Sequence, residues 1–198
     1  MTSAKGMLRT EAVDLIASVR NDALTIVTMQ PVAAWKAIGQ HDLRNLNLIG
    51  SMGSASSIGL GLAVAQPSQK VLVLDGDGSL IMQLGTLVSI GALKPSNFHH
   101  IVFNNGCYET SGRQPVPGST TASLTKLATA GGYTTAIEID ELSGAKAKLA
   151  DVLSQNGPTF TSLVISGQGE IVSVNPPVAV RNDSFAEQII KMRAAFGS

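Results

Sequence analysis

The sequence predicts an α/β protein: one doubly wound domain with a mainly parallel sheet of about six strands and helices on both faces. Short apolar runs suited to buried strands alternate with longer segments whose apolar residues recur at helical spacing. Two of the runs, at 71–74 and 101–103, flank a helix-compatible segment, which is the pattern of a parallel crossover. Hydrophobic residues make up 44% of the chain and charged residues 14%, a balance that allows a sizeable core.

The individual elements follow from the same reasoning. Strands are predicted at the β-rich apolar runs 24–29, 46–49, 71–74, 101–103, 133–139 and 159–165. Helices are predicted at 9–19, 33–38, 54–65, 125–131, 143–154 and 183–195, and one more starts after the third strand. Thr10 is the candidate N-cap of the first helix. Residues 104–120 are predicted to form a long loop, because they carry two Pro and three Gly and no periodicity.

Composition excludes several classes of protein. The 198 residues fit a single domain over 1–198, with 176–198 as a C-terminal linker and helix. A formal net charge of +0 gives no indication of a nucleic-acid partner or a membrane surface. The one Cys excludes an intramolecular disulfide and a multi-cysteine metal site. No signal peptide or membrane span is visible in the sequence, so a cytoplasmic location is expected.

Two polar turns, Gly-Asp-Gly at 76–78 and Asn-Asn-Gly at 104–106, end the third and fourth predicted strands. The carboxyl ends of parallel strands share one edge of a sheet, so Asp77 and Asn105 are expected side by side if these strands are neighbours. The glycines of the first turn allow a sharp bend and a close approach to a ligand. Ser79 is expected to open a helix, whose free N–H groups favour an anion. These groups suit Mg²⁺ with a diphosphate.

The two turns together resemble the thiamine-diphosphate motif, in which a GDG turn and an NN turn are separated by a helix and a strand. Here residues 79–103, 25 in all, lie between them. The resemblance implies the thiamine-diphosphate-binding fold, with thiamine diphosphate and Mg²⁺ as cofactors. It also implies the binding residues: the side chains of Asp77 and Asn105 and the backbone carbonyl of Cys107 for the metal, and Gly76, Gly78 and Ser79 for the cofactor.

A second match is Gly-Ser-Met-Gly at 50–53. In the family, a Gly-x-bulky-Gly element here accepts a hydrogen bond from the cofactor's amino group and bends the cofactor into a V. By this resemblance Gly50, Ser51 and Met52 bind the cofactor, and an ordinary core position is the alternative for Met52. The first strand of related enzymes ends at the same edge, so residues 28–30 are either cofactor contacts or a plain strand end.

The family's chemistry needs a second, pyrimidine-binding domain, which supplies a Glu to the aminopyrimidine ring. The chain is too short to hold both domains. The resemblance therefore implies a partner polypeptide, an α-type pyrimidine-binding subunit, that carries this catalytic Glu. Active sites are expected at the junctions of a hetero-oligomer.

The loop NNGCYETSGRQ at 104–114 most resembles the sulfopyruvate and phosphonopyruvate decarboxylases, and the chain looks like the β-subunit type of the split sulfopyruvate enzymes. The resemblance implies decarboxylation of a small anionic 2-oxoacid, 3-sulfopyruvate, to sulfoacetaldehyde and CO₂. Arg113 is then the candidate cation for the sulfonate or phosphonate. Glu109 is a candidate acid/base. For both residues the alternative is an exposed loop position.

Two departures from the family leave the substrate open. Ser111 stands where pyruvate decarboxylases carry a catalytic Glu, and Gly-Arg-Gln at 112–114 stands where the sulfo- and phosphonopyruvate group often has Gly-Gly-Gln. Phosphonopyruvate decarboxylase, an acetolactate-synthase-like carboligase and a 2-oxoacid oxidoreductase subunit are alternative enzymes. A non-catalytic assembly or regulatory subunit is the alternative that is no enzyme. His99 and His100 are expected to be structural, and His41 has no visible partner in the sequence.

Overall fold

The structure is a computed structural model that describes residues 6–38, 43–166 and 183–195. Its strands are β1 Leu24–Thr28, β2 Asn45–Leu48, β3 Val71–Gly76, β4 Phe98–Asn104, β5 Cys107–Tyr108, β6 Gln114–Pro115, β7 Thr135–Ile139 and β8 Thr159–Val164. Its helices are α1 Arg9–Val19, α2 Gln30–Ala37, α3 Ala55–Ala65, α4 Asp77–Met82, α5 Thr86–Leu93, α6 Leu124–Gly131, α7 Leu142–Ser154 and α8 Phe185–Ala195.

Six of the strands form one sheet in the order β2-β1-β3-β4-β8-β7, and every pairing in it is parallel. This confirms the predicted sheet. The chain leaves β1 towards β2 and then returns to the other side of β1 as β3. The carboxyl ends of β1 and β3 therefore form a topological switch point, the place where open α/β sheets bind ligands.

The sheet carries an apolar core on each face, because side chains of its strands alternate between the faces. Leu72 and Leu74 of β3 join the core under α1, α2 and α7, which also holds the fully buried Trp35. Val71 and Val73 join the core under α3, α5, α6 and α8. Helices on both faces confirm the doubly wound arrangement.

The segment between β3 and β4 forms two helices rather than one. The first begins at Asp77, so the prediction that Ser79 opens the helix is wrong by two residues. Gln83 leaves the helical conformation with φ −137° and ψ 46°, and its freed carbonyl accepts a hydrogen bond from Thr86 Oγ1 at 3.0 Å. Gly85, a weak helix former, lies in the break.

Two further predictions differ from the structure in local detail. Leu8 rather than Thr10 is the N-cap of α1, and its N–H donates to Glu11 Oε2 at 3.3 Å. The loop at 104–120 contains an antiparallel hairpin, β5 with β6, joined through a 3₁₀ turn at Glu109–Ser111. Strands of two residues are too short to show periodicity in a sequence.

Helix α8 covers the edge strand β2. Gln188 Oε1 accepts a hydrogen bond from Asn47 N–H at 2.7 Å, and Gln188 Nε2 donates to Asn47 O at 3.3 Å. Met192 of α8 is buried in the second core. The side-chain amide thus satisfies backbone groups that an open edge would expose.

His41 and the predicted linker at 176–182 lie outside the described residues. Within the described residues, none of the helices has the length and apolar character needed to cross a membrane.

Candidate active site

Asp77 is buried at the carboxyl edge of the sheet, immediately after β3, and is 3% exposed. Its Oδ1 accepts a hydrogen bond from Gly78 N–H at 2.9 Å and lies 3.4 Å from the donor Gln30 Nε2. Its Oδ2 accepts from Gly106 N–H at 2.7 Å. Burial raises the pKa of Asp77 to about 6, although the hydrogen bonds from Gly78 and Gly106 oppose the shift. A carboxylate in such surroundings is stabilised by a nearby cation.

Asn105 and Cys107 lie next to Asp77, because Gly106 between them donates to the Asp77 carboxylate. Asn105 Oδ1 accepts a hydrogen bond from Cys107 N–H at 3.0 Å. A carbonyl oxygen has two lone pairs, so this oxygen can still ligate a metal. Asn105 Nδ2 is buried and has no hydrogen-bond partner among the described residues. The structure therefore brings together the two turns that the sequence placed on neighbouring strands.

The element at Gly50 reaches the same edge through Ser79. Gly53 N–H donates to the buried Ser79 Oγ at 3.0 Å. Gly50 has a φ of +75°, and a Cβ added there would meet no atom within 4 Å. Ser51 is exposed and Met52 is half-buried. Met52 is therefore not a fully buried core residue, while Gly50 and Ser51 before it are exposed.

Steric crowding requires a glycine at one of the two glycine positions in the first turn. A Cβ on Gly78 would lie 2.4 Å from Tyr108 Cε1 and 3.2 Å from Val116 Cγ2, so the tyrosine ring packs directly on this glycine. Gly76 has φ −107° and ψ 153°, and a Cβ there would lie 4.0 Å from its nearest neighbours, Gln30 and Met29. The sharp bend expected at both glycines is not seen, because Gly78 lies within α4 and neither glycine has a positive φ; glycine is required at Gly78 by the close packing of Tyr108.

Glu109 and Arg113 lie on the hairpin that starts at this edge. Glu109 forms an ion pair with Arg9, the first residue of α1, whose side chain is 5% exposed. Arg113 is exposed, with a φ of +58°, and its N–H donates to Tyr108 O at 3.0 Å. Burial raises the pKa of the Cys107 thiol, and charges on Arg113, Glu109, Asp77 and Arg9 all contribute to its shift. The predicted loop residues Glu109 and Arg113 thus lie on a hairpin that begins beside Asp77.

Sequence reasoning missed Arg9 and a buried polar cluster behind the first turn. In that cluster His100 Nε2 lies 3.4 Å from Asp75 Oδ2, and His100 Nδ1 lies 3.1 Å from Tyr133 Oη. Asp75 Oδ1 accepts from Gly76 N–H at 2.8 Å. His100 and its neighbour His99 are each 1% exposed within β4, and their structural role stays a prediction. A pair of polar residues in two apolar strands, Asp75 and His100, was the available signal.

The family described as "Thiamine pyrophosphate enzyme, C-terminal TPP binding domain" matches residues 27–163, which is more than half of the chain. The chain belongs to this family. The match runs from β1 to β8 and includes Asp77, Asn105 and the whole hairpin. The cofactor class that the two turns indicated, thiamine diphosphate, is thereby confirmed.

Relatives of this TPP-binding domain include both decarboxylases that the loop resembles. The chain is 33% identical to sulfopyruvate decarboxylase subunit beta from Methanothermobacter thermautotrophicus, over 92% of this chain and 94% of that protein. It is 40% identical over 121 residues to phosphonopyruvate decarboxylase from Streptomyces viridochromogenes, which is 60% of this chain and 29% of that protein. The chain thus spans nearly all of the first relative and under a third of the second.

A solved structure shares the fold. The thiamine diphosphate-dependent 4-hydroxybenzoylformate decarboxylase of Rhodococcus jostii RHA1 superposes with a TM-score of 0.66 at 21% identity. The superposition covers 84% of this chain and 34% of that chain. It confirms the thiamine-diphosphate-binding fold predicted from the sequence.

Proposed function

We propose that this chain is the diphosphate- and Mg²⁺-binding subunit of a split thiamine-diphosphate-dependent decarboxylase that converts 3-sulfopyruvate to sulfoacetaldehyde and CO₂. One observation carries the proposal: the 33% identity to a sulfopyruvate decarboxylase β subunit over 92% of this chain and 94% of that subunit. A relative that is itself one subunit of an enzyme corresponds to this chain almost throughout. The partner is then a pyrimidine-binding, α-type subunit that completes the active site.

The residues at the edge fit Mg²⁺ bound together with a diphosphate. The Asp77 carboxylate, Asn105 Oδ1 and the Cys107 carbonyl are oxygen ligands of the kind that Mg²⁺ prefers. Asp77 is buried with a pKa raised to about 6, so a cation beside it would offset the cost of burying its charge. Gln30 Oε1 is also buried, and it has no hydrogen-bond partner among the described residues. This oxygen is available to a hydrogen-bond donor at the bound group.

Thiamine diphosphate, when bound, supplies the electron sink that loss of CO₂ from a 2-oxoacid requires. The protein's contribution is to orient the groups and to exclude water. Gly50 and Met52 would lie against the aminopyrimidine. A small cleft lies beside Asp77 and is lined also by Asn104 and residues 116–119.

Two residues of the hairpin would act on the substrate. The exposed guanidinium of Arg113 would bind the sulfonate, because a planar fork of donors matches the oxygens of such an anion. The Glu109 carboxyl group would transfer a proton to the former keto carbon, the same carbon that has lost CO₂. Its pairing with Arg9 holds it on the side of the hairpin nearest α1.

Phosphonopyruvate is the second candidate substrate. It is favoured by the 40% identity to phosphonopyruvate decarboxylase over 121 residues. Both substrates carry a 2-oxoacid and a tetrahedral anion, and Arg113 suits either tail. The choice between them depends on the measured specificity of the assembled enzyme.

The test is to purify the tagged chain with its partner from its native cell and to measure products from sulfopyruvate, phosphonopyruvate and pyruvate. Native mass spectrometry identifies the partner and the bound cofactor. We expect sulfoacetaldehyde and CO₂, with a kcat/KM for sulfopyruvate above that for the other two acids. The variant Arg113→Gln should raise KM for sulfopyruvate more than for pyruvate, which lacks the anionic tail.

Other products would replace the proposal. Faster turnover of phosphonopyruvate would assign the second candidate. An acyloin or an acyl-CoA product would assign a carboligase or an oxidoreductase. A stable complex that holds the cofactor but converts no 2-oxoacid would favour a non-catalytic subunit.

A further inference from the structure

We infer that Arg9 is a positioning residue. Its side chain holds Glu109, and with it the hairpin of β5 and β6, at the carboxyl edge of the sheet beside Asp77. The inference rests on the proposed function for the role of Glu109. It does not depend on which 2-oxoacid is the substrate.

The N-terminal segment is docked at the same edge of the sheet as the active site. Met7 forms a parallel bridge with Ile165, just past the end of β8. Met7 N–H donates to Val164 O at 3.0 Å, and Ser166 N–H donates to Met7 O at 2.9 Å. Gly6 lies so close that a Cβ there would be 2.7 Å from Ser166 N. Helix α1 therefore begins at a fixed point beside the carboxyl ends of β4 and β8.

The side chain of Arg9 is buried where it meets the hairpin. It is 5% exposed, whereas its partner Glu109 is 24% exposed. A guanidinium that has left water requires a charged or hydrogen-bonding partner, and removing one member of such a pair is strongly destabilising. The Arg9–Glu109 ion pair thus links α1 to a hairpin that is otherwise mostly exposed.

Backbone hydrogen bonds within the hairpin maintain its internal shape. The backbone bonds Arg113 N–H to Tyr108 O, at 3.0 Å, and Val116 N–H to Gly106 O, at 2.9 Å, lie within the hairpin itself. They hold its shape but do not orient it on the sheet. Tyr108 packs on Gly78 at the base. At the tip, the ion pair with Arg9 joins Glu109 to α1.

The test is a double-mutant cycle of Arg9→Gln and Glu109→Gln in the assembled enzyme, with decarboxylation and amide hydrogen exchange as separate measurements. We expect Glu109→Gln to lower kcat by about 100-fold, the lower end of the range for general acid–base catalysis. Arg9→Gln should lower kcat by about 10-fold with little change in KM, because substrate binding would be kept. The double variant should fall no further than Glu109→Gln alone, since both changes break one interaction.

Exchange measurements test the same inference without turnover. In Arg9→Gln the amides of Arg113 and Val116 should exchange about 10-fold faster, while those of β3 stay unchanged. Arg9→Lys keeps a cation and should restore both exchange and most of kcat. Glu11→Gln is the matched control: it changes the first turn of α1 at Leu8 N–H without contacting Glu109, so kcat and hairpin exchange should match wild type.

Each outcome decides one of the two proposals. Wild-type kcat and exchange in Arg9→Gln would overturn the positioning role and leave the proposed function intact. The positioning role would also be overturned if the loss of kcat in the double variant equalled the product of the two single losses, because Arg9 would then act independently of Glu109. If wild type decarboxylates no 2-oxoacid but Arg9→Gln still loosens the hairpin, the positioning inference survives and the proposed function fails. If Arg9→Gln does not fold, the reversed pair Arg9→Glu with Glu109→Arg replaces it, and recovery of slow exchange is the supporting result.

Discussion

Replacing Asp77 with Asn should stabilise the cofactor-free protein progressively as pH rises, while removing its response to Mg²⁺ and thiamine diphosphate. Burial raises the pKa of Asp77 from 3.8 to about 6. The folded state therefore favours the neutral acid. The stabilisation of the folded state by neutral Asp77 is fully present below pH 3.8, is lost as pH rises towards 6, and stays lost above that.

The size of the effect follows from the shift. Two pKa units correspond to about 3 kcal/mol at 1.36 kcal/mol per unit. Asn removes this cost, but it offers one acceptor oxygen where Asp77 serves Gly78 N–H and Gly106 N–H with two. The lost hydrogen bond costs about 1–3 kcal/mol at every pH. The free energy of unfolding of the variant minus that of wild type should therefore rise by about 2 kcal/mol between pH 4.5 and 7.5.

Urea unfolding at the two pH values measures this difference, and fluorescence of Trp35 reports it. Trp35 is the one Trp in the chain and is fully buried. Asp22→Asn, at an exposed carboxylate, is the control for loss of a charge and should show no such rise.

At pH 7.5, Mg²⁺ and thiamine diphosphate at 100 times Kd should stabilise wild type by about 2.7 kcal/mol and leave Asp77→Asn unchanged. A pH-independent difference, or equal stabilisation of both proteins, would refute the reasoning.

Three further predictions concern residues around the site. Gly78→Ala places a Cβ 2.4 Å from the Tyr108 ring, so it should lower the free energy of unfolding in urea by about 1–3 kcal/mol and weaken cofactor binding in calorimetry. A Cβ at Gly85 meets no atom within 4 Å, so the control Gly85→Ala should change neither quantity. Met29→Gly should raise stability by about 1 kcal/mol, because Met29 has φ 55° and ψ −120°, a conformation that costs other residues about 1–3 kcal/mol; a loss of stability would contradict this. Burial, and to a smaller extent the charge of Lys70, lowers the pKa of His99 from 6.5 to about 4. The neutral His99 therefore stabilises the folded state fully above pH 6.5, and this stabilisation is lost as pH falls. Urea unfolding of His99→Gln should show about 2 kcal/mol less loss of stability than wild type between pH 7.5 and 4.5, and an equal loss would contradict it.

The features that could be predicted from the sequence are local in origin. Strands buried on both faces appear as short apolar runs, so β3 and β4 were found together with the turns that end them. The parallel register then fixes the rest: Gly76 pairs with Phe103, which leaves Asp77 and Asn105 just beyond the two strand ends. The family match confirms the cofactor class. The individual roles of the site residues, those of Asp77, Asn105, Glu109 and Arg113 included, stay predictions.

The features that could not be predicted depend on distant contacts or on weak local preferences. Arg9 and Glu109 are 100 residues apart, and nothing near either residue indicates the other. The break between α4 and α5 depends on Thr86 satisfying one freed carbonyl, a bond that no periodicity reveals. Asp75 and His100 approach each other only because the register of two buried strands brings them together.

The most direct test of the central claim is a crystal structure of the assembled enzyme with thiamine diphosphate and Mn²⁺ in place of Mg²⁺. The anomalous signal of Mn²⁺ locates the metal independently of the protein density. The account predicts one Mn²⁺ ligated by the Asp77 carboxylate, Asn105 Oδ1 and the Cys107 carbonyl, with the diphosphate on the same ion and the partner subunit over the Gly50 element. A metal bound elsewhere, or a cofactor at the opposite edge of the sheet, would contradict it.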